Sequence, residues 1–254
     1  MREPSLLDSV LEPGGLSVLF QPIVEVNGGA PRVHALEALV RGPQGTNLES
    51  ADVLFEYVRR KHEEMLVDRA CVEAIFAAAR ELPDGLGLSL NVHASTLSRD
   101  LEFLPFLGDA ADRRGLELAR LTVEIVEHAP PWDGPSFLSA LAGLRQIGVE
   151  IALDDVGLGQ SNYRMILDSK PDYFKIDRYF VHGAHADFHR QAVLESVYRL
   201  ARTFGARVVA EGVEEPSDLL ALKALGIGLV QGNLFSPPRP LAELAPLLAP
   251  PVTV

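Results

Sequence analysis

The sequence predicts an α/β protein with a modified TIM (β/α)8 barrel, in which the first strand runs antiparallel to the others. Eight short runs rich in Val, Ile, Leu and Phe alternate with longer amphipathic stretches along nearly the whole chain. The first two runs are separated by Asn27-Gly28-Gly29, a hairpin signal that makes these two strands antiparallel. The same alternation of predicted strands and helices also fits an open doubly wound sheet.

Each predicted strand is short and mostly bounded by Gly, Pro, Asp or Asn. The strands in chain order are 17–26, 32–40, 86–92, 120–126, 149–154, 173–176, 207–210 and 228–231. After the hairpin, amphipathic stretches such as 63–80, 136–147 and 190–204 follow the strands. Parallel strands need such crossovers, because the chain must return to the same end of the sheet.

The chain is predicted to form one domain over residues 16–254, preceded by an N-terminal extension, residues 1–15. Because nearly all of it is one domain, no fused sensor is expected. Regulation is therefore expected through dimerisation, expression or separate partners. No long apolar run precedes Glu12, so no secretory signal is predicted, and no run approaches the about 20 residues that span a bilayer. The expected location is the cytoplasm.

Composition excludes several classes of function. The 254 residues include 23 Lys and Arg against 35 Asp and Glu, for a formal charge of −12. Such a chain lacks the basic surface with which proteins bind duplex nucleic acid or anionic lipid. The single cysteine, Cys71, excludes an internal disulfide and a zinc site built from several cysteines, and it is predicted to lie in the core.

Every predicted strand from the second to the eighth ends in polar residues. In a barrel of this type the C-terminal strand ends surround the active site. Glu37 and Glu124 lie inside apolar runs, where an unpaired carboxylate costs several kcal/mol to bury, so both positions call for a cation. The polar residues at the strand ends are Glu37, Arg41, Asn91, Glu124, Glu127, Asp154, Asp155, Lys175, Asp177, Glu211, Glu214 and Gln231.

Oxygen atoms dominate this set of candidate ligands. Hard divalent cations, Mg²⁺ or Mn²⁺, suit such ligands better than zinc or copper. The adjacent Asp154 and Asp155 would allow one carboxylate to bridge two ions, and two ions about 3.5–4 Å apart are typical of phosphodiester hydrolysis. Lys175 could hold the attacking water or offset phosphate charge. The alternative is a structural ion pair between Lys175 and the acids that ties the strands together.

Eight motifs follow one another in order from about Leu19 to Pro238. They are FQPIVEV (20–26), EALVRG (37–42), LSLNVHAS (88–95), VEIVE (123–127), LDDVGLG (153–159), FKID (174–177), AEGVE (210–214) and QGNLFSPP (231–238). With these motifs the chain resembles the EAL-domain family of cyclic di-GMP phosphodiesterases. The resemblance implies the same barrel, with its antiparallel first strand, and hydrolysis of cyclic di-GMP to linear pGpG by water activated by two metal ions.

The resemblance also implies a role for each matching residue. The residues that match ligands of the first metal ion are Glu37, Asn91, Glu124 and Asp154. Those that match ligands of the second, directly or through water, are Asp154, Asp155 and Glu211. Lys175 matches the lysine that contacts the catalytic water, and with Glu37, Asp155 and Glu211 it forms the expected catalytic set. The positions that match contacts to the ligand are Gln21, Arg41 and Gln231, and Glu127 matches a glutamate that stabilises the loop after the paired aspartates.

The loop after the paired aspartates departs from the family pattern. It reads VGLGQSN over residues 156–162, where the family usually has Phe-Gly-Thr-Gly-Tyr-Ser-Ser. In the family this loop holds the second aspartate and couples to dimerisation. Two alternative functions therefore stay open beside hydrolysis of cyclic di-GMP. One is a non-catalytic EAL domain that binds cyclic di-GMP or a protein partner, and the other is hydrolysis of a different nucleotide.

Histidines occur near the predicted site and in one later connection. His93 follows Asn91 by two residues and is predicted to line the barrel mouth. The connection after the sixth strand carries His182, His185 and His189, and because no cysteine accompanies them a solvated surface is predicted there rather than a metal cluster.

Overall fold

The structure is a computed structural model that describes residues 6–126, 134–157 and 163–248. Within these ranges eight strands close into one barrel in chain order. The strands are β1 Ser17–Glu25, β2 Arg32–Arg41, β3 Gly87–His93, β4 Leu121–Val126, β5 Glu150–Leu153, β6 Tyr173–Ile176, β7 Arg207–Ala210 and β8 Leu229–Gln231. Every one of them begins and ends within one residue of its predicted bounds.

The first strand runs against its neighbours on both sides. β1 pairs antiparallel with β2 and with β8, whereas each pair from β2–β3 to β7–β8 is parallel. Gly28 and Gly29 adopt positive φ between β1 and β2, as the predicted hairpin requires. The predicted barrel is therefore confirmed. The open doubly wound sheet is wrong, because β8 closes the sheet against β1.

Helices connect the parallel strands and cover the outside of the barrel. They are α1 Leu6–Leu11, α2 Ala51–Lys61, α3 Glu64–Ala78, α4 Ala94–Arg99, α5 Phe103–Arg114, α6 Gly134–Gln146, α7 Tyr163–Ser169, α8 Arg178–Val181, α9 Phe188–Thr203, α10 Pro216–Ala224 and α11 Leu241–Leu248. The amphipathic stretches at 63–80, 136–147 and 190–204 correspond to α3, α6 and α9. The larger core lies between these helices and the strands, and Cys71 of α3 is buried in it as predicted.

A second, smaller core fills the inside of the barrel. It consists of Ile23, Ala35, Ala152, Tyr173, Val209 and Leu229. Side chains two residues apart along a strand lie on the same face. The inward-facing residue that follows Ala35 is therefore Glu37, and the one that follows Ala152 is Asp154. This alternation places an apolar layer beneath a polar layer at the mouth of the barrel.

The N-terminal helix α1 packs against the barrel core. Val10 of this helix is 1% exposed and belongs to the larger core. The predicted division into an extension, residues 1–15, and a domain from residue 16 stays a prediction. No helix in the described ranges combines the length and the apolar character that are needed to cross a lipid bilayer.

Candidate active site at the barrel mouth

Four carboxylates surround the ammonium group of Lys175 at the barrel mouth. Lys175 is 1% exposed, and its Nζ lies 2.5 Å from Glu124, 2.7 Å from Glu211, 3.2 Å from Glu37 and 3.8 Å from Asp154. Burial by itself would lower the pKa of Lys175. The surrounding carboxylates outweigh burial and raise the pKa well above its ordinary value. The ammonium group therefore stays charged, and it links strands β2, β4, β5 and β7.

Glu37 accepts hydrogen bonds from two side-chain amides. The amide of Asn91 donates to its Oε1 at 3.1 Å, and the amide of Gln231 donates to its Oε2 at 2.6 Å. The Gln231 amide also donates to Gln21 Oε1 at 3.0 Å. Burial opposes ionisation of Glu37, but Lys175 and the two amides lower its pKa below the ordinary value. Glu37 is thus held as a carboxylate.

Glu124 lies deeper, and it is fully buried. Ser89 donates a hydrogen bond to its Oε1, and Lys175 holds its Oε2. Burial, followed by the negative charge of Glu37, raises the pKa of Glu124 to about 8, although Lys175 acts in the opposite direction. One lysine therefore does not neutralise the acids packed around it.

The adjacent aspartates and Glu211 form a cluster that could bind a metal ion. One oxygen from each of Asp154, Asp155 and Glu211 lies within 4.8 Å of the others. Burial and the charges of Asp154 and Asp177 raise the pKa of Asp155 to about 6. Burial raises the pKa of Glu211 well above its ordinary value, and it also raises the pKa of Asp154. The positive charge of Lys175 lowers both pKa values but does not outweigh burial. A divalent cation would favour the ionised form of all three.

The backbone around the aspartates orients them in a tight turn. Asp155 has φ 52°, a left-handed conformation that non-glycine residues seldom adopt, and its N–H donates to Asp154 Oδ1 at 3.0 Å. Gly157 has φ 97°, and a Cβ there would lie 3.1 Å from the ring of Phe180. Position 157 therefore requires glycine, because a side chain there would crowd the ring of Phe180 and strain the positive φ of the turn that follows Asp155.

The structure brings most of the predicted site residues together. The set at the mouth is Gln21, Glu37, Asn91, Glu124, Asp154, Asp155, Lys175, Glu211 and Gln231. Arg41 lies further out, lining a cavity with Asp154 and Asp155, and donates to the carbonyl of Val40 at 3.0 Å. Glu127 and residues 158–162 of the altered loop lie outside the described residues.

Sequence reasoning missed several polar partners of the site. Ser89 faces Glu124, and strand periodicity offered a signal for it, since Ser89 precedes Asn91 by two residues on β3. The carbonyl of Ser236 accepts a hydrogen bond from Gln21 at 3.1 Å. Asp68 of α3 holds His93 at the end of β3, with 2.8 Å between Oδ1 and Nδ1, and no local pattern pairs these two positions. His182, His185 and His189 are exposed, as predicted.

The EAL domain matches this sequence over residues 5–238. The chain belongs to the EAL domain family. This match and the closed barrel, with its antiparallel first strand, confirm the family and the fold that the motifs predicted.

Relatives of this EAL domain include proteins named as cyclic di-GMP phosphodiesterases. Cyclic di-GMP phosphodiesterase NbdA from Pseudomonas aeruginosa is 30% identical over 254 residues, which covers 95% of this chain and 31% of NbdA. Cyclic di-GMP phosphodiesterase PdeL from Escherichia coli is 33% identical over 161 residues, which covers 63% of this chain and 44% of PdeL. The chain thus spans less than half the length of these two curated relatives.

Solved structures with the same fold contain bound ligands. BlrP1 from Klebsiella pneumoniae, in a complex with manganese and cyclic di-GMP, has a TM-score of 0.78 and 30% identity, with coverage of 93% of this chain and 58% of that one. A calcium and cyclic di-GMP complex of BlrP1 also has a TM-score of 0.78, at 29% identity, with coverage of 94% and 58%. The acidic cluster at the barrel mouth of this EAL domain is chemically suited to such hard cations.

Proposed function

We propose that this chain is a metal-dependent phosphodiesterase that hydrolyses cyclic di-GMP to linear pGpG with two Mg²⁺ or Mn²⁺ ions. The observation that carries the proposal is the ring of carboxylates around Lys175. With Asp155 the mouth holds five carboxylates against one ammonium group. When all are ionised, four negative charges remain, and two divalent cations would balance them. The named relatives support the choice of substrate.

The donor atoms divide into two overlapping sets. The first set would be Glu37, Asn91, Glu124 and Asp154, and the second Asp154, Asp155 and Glu211. Bound divalent cations supply two effects, a lower pKa of coordinated water and charge stabilisation at the phosphate. The pKa of Glu124, raised to about 8 by burial and by the charge of Glu37, supports cation binding, because it indicates negative charge at the mouth that a cation would balance.

The remaining residues would bind and orient the nucleotide. Lys175 carries a fixed positive charge at the centre of the mouth, where it can donate a hydrogen bond to the attacking water or to a phosphate oxygen. Arg41 suits a phosphate, because its guanidinium can donate two parallel hydrogen bonds. Gln231 is 3% exposed, and its Oε1 has no hydrogen-bond partner among the described residues, which leaves an acceptor for the ligand.

The test is incubation of the purified chain with cyclic di-GMP and Mg²⁺ or Mn²⁺, followed by chromatography for pGpG. EDTA should abolish the product. The matched control is Glu150→Gln, which removes a carboxylate from the opposite end of the barrel and should leave turnover unchanged. Tight binding without product under either ion would instead favour a cyclic di-GMP receptor. Cyclic di-AMP and cyclic GMP, added as competing substrates, would reveal a different nucleotide preference.

A homodimer, a separate regulatory protein and a cytoplasmic location stay predictions. The oligomeric state can be measured by light scattering after size exclusion, with and without cyclic di-GMP.

A further inference from the structure

Ser89 lies inside the barrel, one layer below the carboxylates of the mouth. It is 2% exposed, and it precedes Asn91 by two residues on β3, so that both side chains lie on the same inward face. In the pairing of β3 with β4, Ser89 is opposite Thr122 and Asn91 is opposite Glu124. Ser89 is therefore on the strand next to Glu124 and one layer beneath it.

Strand β3 donates hydrogen bonds to two of the acids at the mouth. Asn91 donates to Glu37 Oε1 at 3.1 Å, and Ser89 donates to Glu124 Oε1. Among the described residues, Ser89 is the one hydrogen-bond donor to Glu124 Oε1, while Lys175 holds Oε2 at 2.5 Å. The two oxygens of Glu124 are thus held by donors from two different strands, β3 and β6.

The space behind Glu124 is not filled by packed side chains. A cavity of about 200 Å³, here called the back cavity, extends from Glu124 to the opposite end of the barrel, where His34 and Glu150 line it. The small residues in its wall are Ala35, Gly87, Ser89, Ala119 and Ala152. Packing from below therefore does not fix the Glu124 carboxylate, and its orientation depends on the hydrogen bonds to its two oxygens.

The orientation of a carboxylate determines which cations it suits. A carboxylate that turns freely can bind one cation through both oxygens, and Ca²⁺ accepts such bidentate contacts in a flexible arrangement of roughly 6–8 ligands. Mg²⁺ is smaller and demands nearly ideal octahedral geometry. A carboxylate whose two oxygens are held by separate protein donors is restricted in rotation. It therefore suits the cation with the stricter geometry.

We propose that Ser89 is a positioning residue that fixes the carboxylate of Glu124 and thereby favours Mg²⁺ over Ca²⁺ at the mouth. Hydrogen-bond partners of metal ligands typically contribute roughly 10- to 100-fold to metal affinity. The inference rests on the proposed function, because it takes Glu124 as a ligand of the first cation. It adds cation selectivity to that function and assigns it to a residue outside the predicted ligand set.

Three substitutions separate the hydrogen bond from packing. Ser89→Ala removes the hydroxyl group alone. Ser89→Thr retains a hydroxyl and adds a methyl group, for which the back cavity has room. The matched control is Thr122→Val, since Thr122 is 8% exposed and lines the same cavity. The donors to Glu124 within the described ranges do not include Thr122.

The experiment measures dissociation constants of the whole chain for Mg²⁺ and for Ca²⁺ by calorimetry, without nucleotide. We expect Ser89→Ala to weaken Mg²⁺ binding roughly 10- to 100-fold and Ca²⁺ binding by about threefold or less. Ser89→Thr should retain the wild-type ratio of the two constants, and Thr122→Val should change neither. Thermal unfolding in EDTA, followed by circular dichroism, checks that each variant is folded.

Three results would overturn the inference. An equal loss for both cations in Ser89→Ala would indicate a structural role, because the selectivity of the site would not have changed. No loss would indicate that Glu124 is oriented without Ser89. A selective loss in Thr122→Val as large as that in Ser89→Ala would assign the effect to the polarity of the back cavity rather than to the hydrogen bond.

A second variant tests the hydrogen bond if Ser89→Ala folds poorly. Ser89→Cys occupies the same space, but its S–H group is a weak donor, so Mg²⁺ binding should weaken by about threefold or more while Ca²⁺ binding stays close to wild type. Unchanged Mg²⁺ affinity in Ser89→Cys would contradict the role of Ser89.

Failure of the proposed function gives a different result. A wild-type chain that binds both cations but forms no pGpG contradicts the enzyme, while the ratio of the two dissociation constants still decides the role of Ser89. A wild-type chain that binds neither cation contradicts both proposals.

Discussion

Polar side chains gather at both ends of this barrel, but their charges are arranged differently. At the mouth, four carboxylates contact the single ammonium group of Lys175. At the opposite end, acids and bases alternate. Glu25 pairs with Arg32 at 3.0 Å and with Arg207 at 2.9 Å. Tyr173 donates to Glu150 at 3.1 Å, and Arg207 donates to His34 Nε2 at 3.3 Å.

The two ends therefore differ in how their charges are balanced, because the acids at the opposite end have basic partners, whereas the acids at the mouth could be balanced by a cation. The opposite end satisfies its charges with side chains of its own, as expected where a barrel face serves stability. The mouth keeps an excess of negative charge, and burial together with that charge raises the pKa of Glu124 to about 8 and that of Asp155 to about 6. Substitutions at the mouth should therefore change catalysis and metal binding, whereas substitutions at the opposite end should change stability alone.

The largest expected effect follows removal of a carboxylate from the mouth. Glu37→Gln or Asp154→Asn should lower kcat/KM for cyclic di-GMP by about 1,000-fold, because the proposed metal site would lose a charged ligand. Mn²⁺ affinity, measured by calorimetry, should fall in parallel. Glu150→Gln is the control at the opposite end and should stay within twofold of wild type. Equal losses of kcat/KM in the mouth variants and in Glu150→Gln would contradict the distinction between the two ends of the barrel.

Removal of the Lys175 ammonium group should slow the chemical step. Lys175→Ala is expected to lower kcat by about 100-fold or more while cyclic di-GMP binding changes little, because in the proposed mechanism the ammonium group would act on the water and the developing charge. Rapid-quench turnover and equilibrium binding separate the two quantities. A near-normal kcat would show that Lys175 is only a structural ion-pair partner.

Divalent cations should stabilise the wild-type fold. Mn²⁺ at about 100 times its dissociation constant contributes about 2.7 kcal/mol, which for a chain of this size raises Tm by roughly 5–10 °C. Differential scanning fluorimetry with EDTA as the reference measures the shift. Asp154→Asn should lose most of it and Glu150→Gln should keep it. If the shift survived in Asp154→Asn, the cation would be bound elsewhere.

Loss of one hydrogen bond at the opposite end should have a smaller effect. Tyr173→Phe removes the hydroxyl that donates to Glu150 and should destabilise the fold by about 1 kcal/mol, or roughly 2–4 °C in Tm. Turnover of cyclic di-GMP should be unchanged. A loss of turnover at wild-type stability would link the two ends and break the distinction between them.

The smallest expected effect is a pH dependence from the opposite end. Burial and the charge of Arg207 lower the pKa of His34 below its ordinary value of 6.5. The unfolded chain therefore binds a proton first, and the folded state loses stability as the pH falls from about 6.5 through the lowered pKa. His34→Gln should show a shallower decline in Tm between pH 7.5 and 5.5. If Tm declined equally with pH in the wild type and in His34→Gln, His34 would be excluded as the cause of the decline.

Local patterns in the sequence were enough to predict the strands and the polar residues at their ends. The runs of Val, Ile and Leu defined β2 and β4 to within a residue. The motifs around Glu37, Asp154 and Lys175 predicted an oxygen-rich metal site at the strand ends. The prediction of the strands is confirmed, because the periodicity and composition of a strand are local properties of the chain, whereas the metal site stays a prediction.

Tertiary structure alone decided which distant side chains form ion pairs with one another and which are left unpaired. Lys175 contacts acids from four other strands, Asp68 of α3 fixes the imidazole of His93, and the cluster of Glu25, His34 and Arg207 joins residues from β1, β2 and β7. The sequence by itself determined the inventory of charges and the strands that carry them. Closure of the barrel determined their distances, and electrostatic energy depends on distance and burial rather than on separation along the chain.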